Sequence, residues 1–159
     1  MFLHEIFQPE FIKFEMGAGD KNKAFEELVD HLCNTEKIKA RDEILAALRE
    51  REAKMSTGIY KGIAVPHGKT AAVDKICGVL GVSKKGVEYD ALDGEPVYLF
   101  FMIIAPQEDS EKHLRILKRL SQLLENPQFH LDLQSQKNSQ GMFNVICKYE
   151  EVLLSENSE

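Results

Sequence analysis

The spacing of apolar and polar positions changes character twice along the chain. Ala24, Phe25, Leu28, Leu32 and Cys33 recur at three- and four-residue intervals, the spacing of a helix that buries one face. Asp20 stands just ahead of them, where an N-cap belongs. Before it, Phe11-Ile12-Lys13-Phe14-Glu15 makes a weak strand closed by Gly17-Ala18-Gly19. A second helix is expected from near Arg41 to about Ala53, with Ile44, Leu45 and Leu48 inward and Ser56-Thr57-Gly58 breaking it. The period then shortens. Ile63-Ala64-Val65 and Ile76 to Val82 are short apolar runs, and Asp93-Gly94-Glu95-Pro96 turns the chain into the continuous run Val97 to Ala105. A run of that length, rich in β-branched and aromatic residues, predicts a central strand covered on both faces. Pro106 stops it, and Ser110 is the expected N-cap of a third helix with Leu114, Leu117, Leu120 and Leu124 on one face. Short helices near Pro127–Gln134 and Gln140–Leu153 complete the pattern. Helices before, between and after strands predict an α/β fold, a small mixed β-sheet flanked by helices on both faces.

Composition narrows the class. The 159 residues suit one domain, expected over residues 1–154 with a loose tail at 155–159, and 43% hydrophobic content is enough for a real core. A net charge of −6 makes a poor general partner for nucleic-acid backbones. The longest apolar stretch, Val97 to Ala105, is far short of the roughly 20 residues that span a bilayer. The N-terminus lacks the basic and apolar regions of a secretory signal. The three cysteines, Cys33, Cys77 and Cys147, are widely spaced and contain no Cys-x-x-Cys pair. That disfavours a disulfide framework or structural zinc and points to a reducing cytoplasm.

Phosphate-loop, dinucleotide-turn, zinc-helix and serine-elbow signatures are absent from the chain. The informative stretch is Gly62-Ile63-Ala64-Val65-Pro66-His67-Gly68-Lys69. Pro66 keeps Val65 extended, so His67 emerges at a strand end, and Gly68 lets the backbone turn without crowding the imidazole. A rigidly mounted, accessible imidazole is a sensible nucleophile. The same pattern also describes a surface histidine beside a structural turn. His113, in the first turn of the third helix, is placed to meet a phosphate at a helix N-terminus, or is simply exposed there. Arg51 offers a guanidinium fork for phosphate oxygens, or belongs to the solvated run Arg49-Glu50-Arg51-Glu52. His4, His31 and His130 read as structural or solvated.

A resemblance to a known family shifts these alternatives. Arg51-Glu52, Ser56-Thr57-Gly58 and Gly62 to Lys69, with Asp20-Lys21 upstream and Pro96–Ala105 and His113-Leu114 downstream, closely resemble enzyme IIA domains of the fructose/mannitol type. These belong to the bacterial phosphoenolpyruvate-dependent sugar phosphotransferase system. Ser-Thr-Gly-Ile and Pro-His-Gly-Lys both recur in the nitrogen-regulatory branch, which looks nearest. The resemblance covers nearly the whole chain. It implies the enzyme IIA mannitol/fructose-type fold and His67 as the phosphorylated histidine. It also implies Arg51 as the residue steadying the phosphoryl group and His113 as the second active-site histidine. The implied donor is phosphorylated HPr, and the implied acceptor, where there is one, is a cysteine on a IIB domain. No cofactor or metal is called for. An acidic protein also suits a donor with a basic face. One position departs from the family pattern: Tyr60 stands where a small residue, most often glycine, is usual, and would narrow the approach to His67 or alter partner choice.

The resulting expectation is a cytoplasmic phosphohistidine carrier. With no fused IIB or membrane IIC segment, a regulatory output is expected ahead of dedicated sugar transport. The rivals are a sugar-transport IIA passing phosphate to a IIB cysteine and a non-catalytic binding module. A zinc site built on His67 and His113 is the remotest reading.

Overall fold

The computed structural model describes residues 1–157. Six helices and five short or medium strands follow one another, the chain opening with helix α1 (Leu3–Ile6) and a 3-10 turn at Pro9–Phe11. Neither was expected from sequence. The weak strand expected over Phe11–Glu15 shortens to β1 (Ile12–Lys13), with Phe11 taken into the 3-10 turn. Helix α2 (Lys21–Glu36) begins at the predicted cap, the Asp20 carboxylate accepting from the Lys23 amide at 2.9 Å. Helix α3 (Arg41–Lys54) follows, then β2 (Ile63–Ala64), β3 (His67–Lys69), β4 (Cys77–Val87) and β5 (Val97–Ala105). Helices α4 (Ser110–Leu124), α5 (Pro127–Gln134) and α6 (Ser139–Asn157) close the chain. The last helix continues through Ser155 and Glu156, where a loose tail was expected; residues 158 and 159 lie outside those described.

The sheet is mixed, as the sequence predicted. Strands run in the order β1-β4-β5-β2, with β3 also on β5. The β4–β5 pair is antiparallel, and β1, β2 and β3 pair in parallel with their neighbours. β5 is the central strand, and its alternating side chains divide the core. Leu99, Phe101, Ile103 and Ala105 join Leu3, Ile116, Leu120, Phe129 and Ile146 on one face. Phe100, Met102 and Ile104 join Phe25, Leu28, Ile44 and Leu48 on the other. A two-fold alternation that is apolar on both sides needs helices on both sides, which is why this strand reads as an unbroken apolar run. Among the described residues no helix is long and apolar enough to cross a membrane.

Helix α4 is rotated from the orientation its leucines suggested. Ile116, Leu120, Leu123 and Leu124 are buried, whereas Leu114 is 68% exposed. The expected stripe, positions 114, 117, 120 and 124, leaves out Ile116 and Leu123. Positions 113, 116, 120 and 123 form the continuous helical face, and each buried aliphatic side chain on it contributes about 2 kcal/mol. The rotation carries His113 into the interior. Asp109, not Ser110, occupies the N-cap position, and it makes no side-chain capping bond.

Gly78 shows how closely the central strands approach. A Cβ there would lie 2.1 Å from the carbonyl oxygen of Met102. Gly78→Ala is therefore expected to destabilise the protein by about 3 kcal/mol, measured by urea unfolding, because backbone rather than a mobile side chain has to yield.

Candidate functional site

Two local devices place His67. β2 ends at Ala64, the chain passes through Val65 and Pro66, and His67 opens β3 opposite Ile103 of β5. The imidazole therefore stands at the start of a second short strand rather than at the end of the first. Gly68 also acts differently from expectation. It lies within β3, where a Cβ would come within 3.1 Å of the Ala47 backbone, so its missing side chain lets α3 pack against the strand. That close approach brings Arg51, on the last turns of α3, to the imidazole.

Hydrogen bonding assigns the two ring nitrogens. His67 Nδ1 lies 2.8 Å from the Val65 carbonyl oxygen, which only accepts, so Nδ1 carries the proton. Nε2 then presents its lone pair, and the Arg51 Nε–H donates to it at 3.2 Å. Arg51 is steadied in turn by its Nη1 donating to the Met55 carbonyl at 2.9 Å. Burial pulls the His67 pKa below its ordinary value; the Val65 carbonyl opposes this and the Arg51 charge adds to it. The imidazole is neutral at physiological pH.

His113 completes the pair. Its ring centroid is 5.5 Å from that of His67, with the planes 73° apart. It is buried, and its Nε2 has no hydrogen-bond partner. An unpaired polar atom in the interior is costly, so the arrangement calls for a group that arrives from outside. Burial, followed by the charges of His67 and Lys69, lowers the His113 pKa to about 4. Arg51, Lys54, His67, Lys69, Ser110 and His113 line an open cavity of about 660 Å³, and the Lys69 ammonium donates to Ser110 Oγ at 3.0 Å. With Arg51, Lys54 and Lys69 against the carboxylate of Glu50, the mouth is net cationic on a protein of net charge −6, a local reversal of sign that suits an anionic group. Tyr60 is not among the residues lining that mouth, but it lines a smaller cavity of about 140 Å³ that has Arg51, His67 and Leu117 in common with it.

The structure thus brings Arg51, His67 and His113 together, and it buries His113, which a helix-start position did not suggest. Each of the other histidines engages a local group: His4 the Glu150 carboxylate, His31 the Glu10 carbonyl and His130 the Leu124 carbonyl. Sequence reading gave Glu52 no role of its own beyond the Arg51-Glu52 element and the alternative of a solvated run, yet it is buried to 8% exposure. Its carboxylate accepts from the Thr57 amide at 2.8 Å, the Thr57 hydroxyl at 2.6 Å, Tyr89 at 3.0 Å and Lys21 at 3.0 Å. Burial favours its protonated form, but the Thr57 hydroxyl and amide and Lys21 outweigh that and hold the pKa below the ordinary value. The signal was present: positions 45, 48 and 52 lie on one helical stripe.

Solved structures place this architecture. The nitrogen regulatory protein IIA-Ntr from Neisseria meningitidis superposes with a TM-score of 0.83 at 27% identity, covering 91% of this chain and 98% of that one. Enzyme IIA of the mannitol system from Escherichia coli, solved in complex with phosphorylated enzyme IIB, has the same fold, with a TM-score of 0.72 at 20% identity over 87% of this chain and 95% of that one. By sequence, the fructose-specific EIIA component of Haloferax volcanii is 35% identical over 87% of this chain and 90% of its own length. The fructose-specific EIIABC component of Bacillus subtilis is 34% identical over 94% of this chain but only 24% of its own length, so this chain corresponds to about a quarter of it. The profile of the EIIA 2 family of the phosphoenolpyruvate-dependent sugar phosphotransferase system matches residues 5–149. The chain belongs to that family.

Proposed function

We propose that this protein is a cytoplasmic phosphocarrier in which His67 Nε2 accepts a phosphoryl group from phosphorylated HPr. The observation carrying this reading is the polarised imidazole pair. His67 has Nδ1 tied to a carbonyl and the Nε2 lone pair turned to Arg51, and its ring lies against that of a buried His113 whose Nε2 is unpartnered. In the transfer, the Nε2 lone pair attacks phosphorus as the donor's phosphorus–nitrogen bond breaks. The bonding electrons return to the donor imidazole, and the proton stays on His67 Nδ1, which continues to donate it to the Val65 carbonyl. Arg51 moves from the lone pair to the incoming oxygens, and a neutral His113 donates an N–H to them. Phosphoryl transfer needs mainly such positioning and charge stabilisation.

The family includes fructose-specific and nitrogen-regulatory relatives, so both outputs have precedent among similar chains. We read this chain as a regulator. A IIB cysteine is the acceptor in the transport alternative, and the Escherichia coli IIA–IIB complex shares this fold.

The test is incubation with phosphoenolpyruvate, enzyme I and HPr, followed by intact-mass measurement and imidazole ¹⁵N spectra. One acid-labile phosphate on Nε2 is expected. A phosphate on Nδ1 would contradict the tautomer assignment, and none from a demonstrably charged donor would overturn the phosphocarrier reading.

A further inference from the structure

Beneath the paired imidazoles lies a buried polar cluster that the transfer chemistry does not use. Glu52 ends the inward stripe of α3, one residue from Arg51, yet its carboxylate points away from the mouth. Four donors meet it, two of them from Thr57. With its amide and hydroxyl both held, Thr57 has little freedom left. Its carbonyl accepts from the Val65 amide at 3.1 Å, and the Val65 carbonyl accepts from His67 Nδ1 at 2.8 Å. A path of hydrogen bonds therefore runs from a buried carboxylate, through Thr57 and then Val65, to the acceptor ring.

We infer that Glu52 is a positioning residue for the phosphoryl acceptor: by gripping Thr57 it fixes the Val65 carbonyl, which holds the His67 imidazole in the tautomer that leaves Nε2 open. The inference rests on reading His67 as the acceptor. Tyr89 and Lys21 complete the grip. The Thr57 and Tyr89 hydroxyls lie 2.8 Å apart, so with Glu52 Oε1 they form a closed triangle of oxygens. Lys21, on the first turn of α2, balances the carboxylate charge across Oε2. Support of this kind is what keeps an attacking atom in line, since a small displacement of a reacting group costs a large factor in rate.

The chemistry of the cluster separates shape from charge. A glutamine at position 52 keeps a carbonyl oxygen for the Thr57 amide and Lys21. Its amide donates to the two hydroxyls, each of which accepts as readily as it donates. Glu52→Gln should therefore keep the hydrogen-bonded path while losing the charge, whereas Glu52→Ala loses both.

The experiment compares wild type, Glu52→Gln and Glu52→Ala by two readings. One is the His67 tautomer, from imidazole ¹⁵N shifts in the unphosphorylated protein; the other is the rate of phosphate uptake from HPr. Glu52→Ala is expected to spread the ring over both tautomers and slow uptake about tenfold or more, with Glu52→Gln close to wild type on both. Where Glu52→Ala does not fold, Thr57→Val replaces it. That variant removes only the hydroxyl in the grip and should shift the tautomer in the same direction by less. A folded Glu52→Ala or Thr57→Val protein with the wild-type tautomer and rate overturns the inference. So does a Glu52→Gln protein as impaired as Glu52→Ala, because charge and not the hydrogen-bonded path would then be responsible. Failure of the acceptor reading looks different: wild type itself takes up no phosphate, a blank that no defect in Glu52 produces.

Discussion

His67→Ala is expected to take up no phosphate under conditions in which wild type is fully labelled, while unfolding at nearly the same urea concentration. The loss should be complete because His67 is the histidine whose Nε2 meets Arg51 in the cationic mouth while its Nδ1 is anchored to the Val65 carbonyl. His113 cannot substitute. It is buried to 5% exposure at the wall of the mouth, and no carbonyl anchors its ring as Val65 anchors that of His67. Fold should survive because His67 is half-buried at the edge of the core, and β3 is held through its backbone to β5 and through Gly68 to α3. Intact mass after incubation with charged HPr, alongside circular dichroism, provides the check. An acid-labile phosphate remaining on the variant would move the acceptor elsewhere.

His113→Leu should produce the next largest effect, in two independent measurements. The leucine fills a similar volume but leaves no N–H for a phosphoryl oxygen. A slowing of roughly 100-fold is expected, the scale seen when one preorganised donor to a developing charge is lost. His113→Gln, which restores an N–H near the same place, should recover part of the rate. The second measurement is stability against pH. The folded pKa of about 4 lies below the ordinary 6.5, so the unfolded chain binds the proton more readily. Stability is then fully present above pH 6.5 and falls as pH drops toward 4. At about 1.4 kcal/mol per pH unit, His113 accounts for roughly 3 kcal/mol of that loss. His67, shifted the same way by its burial, adds to the slope with the same sign. Urea unfolding at pH 7 and pH 4.5 should show a smaller drop for His113→Leu than for wild type. Equal drops would mean that the His113 ring is protonated or solvated in the native state.

The two expectations depend on each other physically. A charged His113 would place another cation in the interior next to the Lys69 ammonium, which burial and that charge oppose. Kept neutral by burial, it donates a hydrogen bond without adding a second cation beside the acceptor. The charge in the mouth comes instead from Arg51, Lys54 and Lys69, on flexible side chains that can follow the phosphoryl oxygens.

Much of the architecture was legible in the chain. Asp20 announces α2, Val97 to Ala105 announces the central strand with its correct ends, and Asn126-Pro127 announces α5. Strong periodicity and side-chain caps are local signals that survive into the fold. The N-terminal segment was not legible. Helix α1 has four residues, and the Glu150 carboxylate, 147 positions away, accepts from the Leu3 amide at 2.6 Å. Nothing local foretells a partner at that distance. The face of α4 was misread for a related reason: leucines at 114 and 117 look equivalent to Ile116 until packing into the cluster shared with α1, α5 and α6 decides between the stripes.

For the site, the residue types and their order along the chain determined which groups exist: an imidazole after a proline, an arginine on the preceding helix and a second histidine downstream. Their resemblance to a family supplied the chemistry to look for. Only the tertiary structure decided that His113 is interior and therefore neutral. It also decided that the Val65 carbonyl fixes the proton on Nδ1, and that Glu52 belongs to a buried cluster rather than to solvent. The reason is the same in each case. Burial and hydrogen-bond partnership are properties of neighbours brought together by the sheet, and they set pKa, tautomer and orientation, which no residue carries by itself.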